Sequence, residues 1–365
     1  MINKLVIENL KYRWVRTLLS ALVVGVQVMS ILTLIGLSEG LLQDSARRSK
    51  STGADIVLKP GTQGTISFTS GQMPDKWVQY VAKQPHVVQA VGALTQSVEL
   101  VTMMNGVDIQ QFQKLSGGFR FIAGGLPKGP DDLLVDDAYA RQKHLKIGQT
   151  VNVFNHPWHL SGIVQDGMLA RFVVPIGTLQ EMTGNAHRIS QIMVKIDNPA
   201  LTDQVVAQLN SSLQGQLTAI SIADVVSQFS INNIPQLQIF ITVITTLSIV
   251  VGFLVVFLSM YTAVIERTRE IGILKALGAK PMTIINMLVR EAIVLAMAGC
   301  LIGIFLSFVV RQLVTTFVPA SLTVIAVPGW WPKAAAIALT GALLGAIYPG
   351  LKAARQDAIE ALAYE

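Results

Sequence analysis

The sequence predicts a membrane protein with four transmembrane α-helices and an inserted extracytoplasmic α+β domain. Hydrophobic residues make up 51% of the 365-residue chain and charged residues only 14%, a composition typical of integral membrane proteins rather than soluble ones. The long apolar runs fall into two groups, one run near the start of the chain and three near its end. Between them the segment 41–236 has a mixed composition, so we expect it to form a domain outside the lipid.

The first apolar run predicts a transmembrane helix over residues 15–40. Residues 1–14 carry basic side chains and end at Trp14, so we expect an amphipathic cytoplasmic helix there. A cleaved signal peptide is the alternative interpretation, but the run is too long for one and offers no small-x-small cleavage site. Because the positive charge precedes the span, its N-terminal end is expected to lie inside.

The segment 41–236 is predicted to contain a strand–helix–strand unit that occurs twice, in 41–102 and again in 190–236. In the second unit an apolar side chain recurs every four residues from Leu201 to Leu213, a stripe that requires a sheet to cover it. Two such units favour a small α/β sandwich.

The intervening residues 103–189 are predicted to form a β-rich insert. Asn105 to Asp108 has the composition of a turn, and residues 145–153 alternate between apolar and polar side chains as a strand does. The tip loops of this insert are candidates for contact with a partner, because binding residues concentrate on loops.

Two groups of potential metal ligands lie in the insert. His156 and His159 stand three residues apart across a proline, and no Cys or carboxylate is near them in sequence, so a surface turn is favoured over a metal site. Four carboxylates lack the spacing of an EF-hand calcium loop and are interpreted as solvated turn residues: Asp131, Asp132, Asp136 and Asp137. The sequence therefore predicts neither a metal nor a cofactor on this chain.

Three further apolar runs, each near the length that a bilayer core requires, predict spans at 237–263, 289–312 and 329–350. With four spans both chain ends lie on one side, which the positive-inside rule makes the cytoplasm. The loop 264–288 and the tail 351–365 are then cytoplasmic, whereas 41–236 and the short loop 313–328 lie outside.

Small and polar residues within the spans predict close helix packing. Two pairs of glycines have small-xxx-small spacing, and contacts within one subunit are favoured over a dimer seam: Gly299 with Gly303, and Gly341 with Gly345. In the first span Gln27 is expected to face protein or a water-filled space, since an amide in hydrocarbon is costly. Met29 beside it is a potential substrate-facing residue, although a packing role is favoured.

The formal net charge of +6 does not indicate a nucleic-acid-binding protein, because the basic residues flank the spans instead of forming one patch. A lipid membrane explains their placement. The single cysteine, Cys300, lies within an apolar run and excludes an intrachain disulfide.

The loop between the second and third spans contains a short helical pattern from Glu266 to Pro281. It begins with four charges in five residues and continues with apolar side chains three residues apart. Gly278 suits a left-handed helix stop, and Pro281 cannot continue the same helix. Such a helix suits docking into a partner's groove, while a solvated loop that only sets the topology is the alternative.

The sequence of this loop resembles the coupling helix of MacB/FtsX-type ABC transporter permeases. The residues that carry the resemblance are Arg269-Glu270-Ile271-Gly272 and Leu274-Lys275-Ala276-Leu277-Gly278-Ala279. Tyr348-Pro349-Gly350-Leu351-Lys352-Ala353-Ala354-Arg355 and Glu360-Ala361-Leu362 resemble the C-terminal signature of the same family, which usually has Pro where this chain has Ala358. The resemblance implies an ATPase-docking set: Glu266, Arg267, Arg269, Glu270, Ile271, Leu274, Lys275, Leu277 and Gly278.

The resemblance also implies the partners and the mode of action. Two copies of the chain would pair as a homodimer, each docked on a separate ABC ATPase subunit that binds ATP and Mg²⁺. This chain itself has no G-x-x-x-x-G-K-[ST] phosphate-binding loop and is therefore not expected to be an enzyme.

The expected function is efflux by mechanotransmission across the bacterial inner membrane, with a membrane-fusion adaptor and an outer-membrane duct as further partners. The alternatives are an FtsX-like signalling subunit that regulates an outer hydrolase, and a lipoprotein-releasing permease.

Overall fold

The structure is a computed structural model that describes residues 14–61, 71–99, 102–213, 215–317 and 322–356. The predicted amphipathic helix over 1–14 lies outside the described residues except for Trp14, and so does the tail beyond residue 356. The chain divides into two compact units, which we call the inserted domain (Gly40–Ile234 with Thr315–Thr323) and the helical unit (the residues on either side).

The described residues contain eleven α-helices. In chain order they are α1 (Trp14–Ser51), α2 (Lys76–Ala82), α3 (Ile109–Ser116), α4 (Asp137–Gln142), α5 (Ile176–Met182), α6 (Thr202–Ser212), α7 (Ile222–Gln228), α8 (Pro235–Glu266), α9 (Thr268–Ala276), α10 (Pro281–Phe317) and α11 (Trp331–Arg355). Within this part of the chain, four helices are long and apolar enough to cross a membrane: α1, α8, α10 and α11, the last with the short 3₁₀ turn before it.

The membrane-length helices contain the predicted spans and extend beyond them. Helix α1 continues past residue 40 to Ser51, and α10 begins at Pro281, well before residue 289. Hydropathy marks where the apolar side chains stop, whereas the helix continues until its hydrogen-bond ladder is interrupted. For α1 the interruption comes at Gly53, which has a left-handed φ of 70°.

Both glycine pairs lie at helix contacts within one chain. A Cβ on Gly299 would stand 2.6 Å from Val24 of α1, and a Cβ on Gly303 would stand 2.6 Å from the Gly25 carbonyl oxygen. Helix α11 packs on α8 in a similar way, with Gly341 against Ile249 and Gly345 against Phe253. The absence of a side chain therefore lets the helix backbones approach closely.

The strands of the inserted domain, in chain order, are β1 (Ile56–Pro60), β2 (Met73–Pro74), β3 (Val87–Glu99), β4 (Thr102–Val107), β5 (Phe121–Gly124), β6 (Asp132–Asp136), β7 (Thr150–Val153), β8 (His156–Val164), β9 (Phe172–Pro175), β10 (Arg188–Ile189), β11 (Gln191–Ile196) and β12 (Leu217–Ser221). Among the described residues ten of them form one sheet in the order β12-β1-β11-β3-β4-β9-β6-β8-β5, with β7 paired to β8. Strands β2 and β10 pair separately.

The two strand–helix–strand units are β1–α2–β3 and β11–α6–β12, and their strands occupy one end of the sheet. The predicted apolar stripe is buried at its centre: Val205, Leu209 and Leu213 pack in one core cluster with Leu58 and Val194. The sheet covers the apolar side of α6, as the four-residue spacing predicts.

The β-rich insert continues the same sheet rather than forming a second one, because β4 pairs with β3 and with β9. The predicted turn at Asn105–Asp108 is wrong. Asn105 to Val107 belong to β4, and Asp108 caps the N-terminus of α3 by accepting hydrogen bonds from the next turn. Gly106 serves close packing instead, since a Cβ there would stand 3.0 Å from Leu179 of α5.

The predicted strand over 145–153 is reduced to its last four residues, β7. Residues Lys146 to Gln149 form a turn instead. Gly148 there has a φ of 85°, and the Lys146 amide donates a hydrogen bond to the Gln149 side chain. Alternating polarity alone does not distinguish this turn from a strand, because the backbone conformation depends on the glycine.

Candidate functional site

Helix α9 lies between the second and third membrane-length helices, and backbone hydrogen bonds close its C-terminal end. At its C-terminus the Ala279 amide donates to the Leu274 carbonyl and the Gly278 amide donates to the Lys275 carbonyl. With Gly278 at a φ of 90°, these two bonds form the Schellman motif, which confirms the predicted left-handed stop. Pro281 then begins α10, where its missing N–H leaves no donor unsatisfied.

One side of α9 is buried against its own chain. Arg267 Nη1 lies 3.3 Å from Glu291 Oε2 of α10, and both side chains are almost fully buried. Thr268 and Ile271 are buried on the same side. An ion pair removed from water in this way is costly to break, because the remaining charge would lose its partner without regaining its hydration.

Two further contacts tie the ends of α9 to other helices of the helical unit. Before its start, Glu266 Oε2 lies 2.7 Å from Arg16 Nη1 of α1. Near its end, Lys275 Nζ donates to the backbone carbonyl of Ala354 in α11 at 2.8 Å, and also to that of Gln356. Glu266 is the last residue of α8 and Arg267 directly precedes α9, so these contacts join the α8–α9 junction to α1 and α10, and α9 itself to α11.

The opposite side of α9 carries exposed apolar and charged groups. Leu277 is 81% exposed and Ile273 is 46% exposed, and the two residues are four apart on one helix face. Arg269 and Glu270 are exposed next to them, while Leu274 is half-buried. The arrangement offers an apolar centre with charges at its edge, which suits docking to a protein surface.

The structure divides the nine residues of the predicted docking set. Arg267 and Ile271 are buried and hold the helix in place, Glu266 and Lys275 are engaged with other helices, and Gly278 forms the helix stop. Sequence reasoning missed Ile273, although its i, i+4 spacing to Leu277 was the available signal. The docking role of the set stays a prediction.

Gln27 of α1 faces α8 within the helical unit. Its Nε2 donates to the Ser248 carbonyl, and a Cβ on Gly252 would stand 2.7 Å from its Oε1. A second polar contact between the same helices joins Ser20 Oγ to Ser259 Oγ at 2.9 Å. Gln27 therefore packs against protein, and Met29 is half-buried beside it.

The histidines of the insert have carboxylate neighbours, contrary to the expectation from sequence. Parallel pairing of β6 with β8 sets Asp132 opposite His159, with 3.0 Å between Oδ1 and Nδ1, and His156 lies 2.8 Å from Asp131. Burial disfavours the charged form of Asp132, but the Gly129 and Lys128 amides and the His159 ring together hold its pKa below the ordinary value.

These are two separate contacts, each between one histidine and one carboxylate. In the residues that the structure describes, no three His, Cys, Asp or Glu side chains come together as a metal site. Asp136 and Asp137 are not solvated turn carboxylates as the sequence suggested, because both are buried.

Comparison with known proteins identifies both parts of the chain. Residues 17–212 match the family model described as the MacB-like periplasmic core domain, and residues 242–358 match the FtsX-like permease C-terminal model. The first match alone covers more than half of the chain.

Curated relatives align over almost the whole chain. The macrolide export ATP-binding/permease protein MacB of Escherichia coli K12 is 26% identical over 384 aligned positions, which cover 96% of this chain and 58% of the relative. MacB of Photorhabdus laumondii is 24% identical with the same coverage of both chains. The chain thus spans 58% of the length of these relatives.

Among solved structures, the periplasmic region of MacB from Actinobacillus actinomycetemcomitans matches 47% of this chain and 92% of its own length. The TM-score is 0.38 and the sequence identity is 15%. The extracellular domain of a noncanonical ABC-type transporter from Gram-positive bacteria covers 46% of this chain and 98% of its own, with a TM-score of 0.35 and 12% identity.

Proposed function

We propose, from the premise that this chain belongs to the MacB/FtsX-type family of ABC transporter permeases, that it is a permease subunit acting with a separate ATPase subunit. The curated relatives are named ATP-binding/permease proteins, and the 365 residues given in the sequence contain no phosphate-binding loop. ATP and Mg²⁺ would then be bound by the partner, and this chain would contribute no catalytic residue.

The proposal is supported chiefly by the two faces of α9, one of which is buried and the other exposed. Its buried side is fixed to α10 by the Arg267–Glu291 pair, and its other side exposes Leu277 and Ile273. An exposed apolar pair costs solubility unless a partner covers it, and charges beside it favour one binding orientation. We assign the exposed side to the ATPase subunit.

Movement of the ATPase would reach the membrane helices through α9. Because α9 and the two residues before it are tied to α1, α10 and α11 by charged side chains, α9 would carry these helices with it rather than move independently. Helix α1 continues without interruption to Ser51 in the inserted domain, so displacement of the helix would also displace residues of that domain. This is mechanotransmission, in which the inserted domain performs the work of export.

The proposal includes an orientation and an assembly. Both chain ends and α9 would lie in the cytoplasm, and the inserted domain would lie outside the inner membrane. Two copies would form a homodimer, with an adaptor and an outer-membrane duct as partners of the inserted domain. The identity of the partner proteins would indicate the exported substrate. Macrolides are the first substrate class to test, because the curated relatives are named for them.

The direct test is recovery of the ATPase subunit with the purified chain. Leu277→Asp places a charge where an apolar contact is proposed, which should cost a few kcal/mol of binding, or roughly a hundredfold in affinity. Ile147→Asp is the matched control, since it also changes an exposed apolar residue but lies in the inserted domain. Equal recovery with wild type, Leu277→Asp and Ile147→Asp would refute docking at α9.

A further inference from the structure

The end of α1 is held to the inserted domain by a cluster of charged side chains. Asp44 and Arg48 come from α1, and they meet Asp136 at the end of β6 and Asp166 and Arg171 beyond β8. All of these residues belong to the inserted domain as the contacts define it. We call this group the stem clamp.

Arg48 is the centre of the stem clamp. Its Nη2 lies 2.9 Å from Asp136 Oδ2 and 3.1 Å from Asp166 Oδ1, and its Nε donates to Asp44 Oδ2 at 2.8 Å. Its Nη1 donates to the Met168 carbonyl at 3.1 Å. The planar guanidinium fork is thus bonded in several directions, which fixes its orientation as well as its position.

Asp136 is fully buried between two guanidinium groups. Its Oδ2 lies 3.2 Å from Arg171 Nη1 in addition to the Arg48 contact, and its Oδ1 accepts the Tyr139 amide, which caps α4. The Asp136 amide donates to the Arg171 carbonyl at 3.0 Å, so the end of β6 and the segment before β9 are joined through the backbone as well. The three carboxylates are balanced in formal charge by the guanidinium groups of Arg48 and Arg171 and by that of Arg47, which lies exposed at the edge of the clamp.

A backbone contact extends the clamp by one more turn of α1. Ser51 Oγ accepts a hydrogen bond from the Leu169 amide at 3.1 Å. The last two turns of α1 therefore contact the segment 166–171 along its length, and rotation or sliding of the helix end would break several directional bonds together.

Such a cluster is a poor way to add stability, because well-packed apolar residues often stabilise as much as a buried ion network does. Apolar packing is non-directional, however, whereas a multiply bonded guanidinium accepts one arrangement of its partners. The clamp is therefore suited to a task that needs a rigid joint between a helix and a sheet.

We propose that Arg48 is a positioning residue that transmits displacement of α1 to the β-rich insert, with Asp136 as its fixed anchor in the sheet. The inference rests on the proposed function, in which α1 is moved from its other end. The stem clamp would be the joint at which movement of α1 becomes movement of the inserted domain. Without the joint, displacement of α1 would still reach the sheet through β1, but at the end far from the insert strands β6 and β8.

The test compares Arg48→Met with Arg47→Met in the full chain, purified with its ATPase subunit. Arg47 is the matched control because it contacts the same Asp44 and Asp166 from the surface, with a side chain 58% exposed. Two measurements are made in each variant: hydrogen exchange of the segment 166–171, and the distance between spin labels on Lys143→Cys in the two copies, with and without trapped nucleotide. The labelled chains carry Cys300→Ala, which removes the only native thiol.

In the wild type and in Arg47→Met we expect a protected segment and a nucleotide-dependent label distance. In Arg48→Met we expect faster exchange at 166–171 by about tenfold or more and loss of the nucleotide-dependent change, while ATPase recovery and hydrolysis stay near the wild-type level. A purely structural role would not separate hydrolysis from domain movement. If Arg48→Met does not fold, the same two measurements are made on Arg48→Lys, since a lysine keeps the charge but cannot form the forked hydrogen bonds of a guanidinium group.

A nucleotide response that persists in Arg48→Met, or in a folded Arg48→Lys when the methionine variant is lost, overturns the proposal. So does an equal loss in Arg47→Met. The failure of the proposed function would look different, because the wild type itself would then recover no ATPase or show no nucleotide response. In that case the exchange measurement still tests whether Arg48 holds α1 to the insert.

Discussion

Arg267 and Glu291 form a buried ion pair, with 3.3 Å between Nη1 and Oε2 and with side chains 6% and 3% exposed. The pair joins the residue before α9 to α10. It is the contact that fixes the inner side of the proposed docking helix, and its removal should affect the helical unit before it affects docking.

We expect Arg267→Met to destabilise the chain by about 3–5 kcal/mol, because it removes the hydrogen-bonded cation from the buried Glu291 carboxylate. The double variant Arg267→Met with Glu291→Met should recover most of this loss, since no charge then remains to be desolvated. Thermal unfolding in detergent measures both effects. Arg269→Met is the control, as an exposed arginine of the same loop whose loss should change stability by no more than about 0.5 kcal/mol. Additive losses in the double variant would contradict the coupling.

Close packing of α10 on α1 predicts that Gly303→Ala is destabilising. The new Cβ would stand 2.6 Å from both the Gly25 carbonyl oxygen and the Val28 Cβ, so the helices would have to separate. Overpacking of this kind costs about 1–3 kcal/mol. Gly329→Ala is the matched control in the same unit, because its Cβ would meet nothing within 4 Å. An unchanged melting temperature for Gly303→Ala would mean that the two helices are not in contact as described.

The lowered pKa of Asp132 predicts a pH-dependent contribution to stability. A carboxyl group whose pKa is lower in the folded state stabilises it fully above the unfolded value, about 3.9. This contribution is lost as pH falls through the lower folded value. Asp132→Asn should therefore be less stable than wild type at neutral pH, with a difference that narrows only below about pH 4. Thermal unfolding of the full chain across this range gives the difference in stability, and a difference that stays constant down to the lowest pH would show that ionisation of Asp132 does not contribute.

The proposed orientation predicts the accessibility of two introduced cysteines, again in a Cys300→Ala background. Lys143 is exposed in the inserted domain, and Thr283 is exposed at the start of α10. An impermeant thiol reagent should label Lys143→Cys in cells whose inner membrane is intact, and should label Thr283→Cys only after that membrane is opened. The reverse pattern would invert the orientation and place α9 outside.

The sequence alone was sufficient for features that depend on local pattern. A span is recognised because about 20 consecutive apolar residues match the bilayer core. The helix stop at Gly278 was predictable because a left-handed residue there is strained unless it is glycine. The stripe from Leu201 to Leu213 indicated a helix covered by a sheet, since its spacing follows the helical period.

Tertiary structure alone decided which distant residues meet. Periodicity places Ile271 and Ile273 on different sides of α9, but only the folded structure shows that Ile271 is the buried one. The parallel pairing of β6 and β8 brings Asp132 to His159 across 27 residues of sequence, and the docking of the α1 end brings Arg48 to Asp136 across 88. The energies of such contacts depend on burial and on the partner atoms, and neither is encoded in the spacing of residues along the chain.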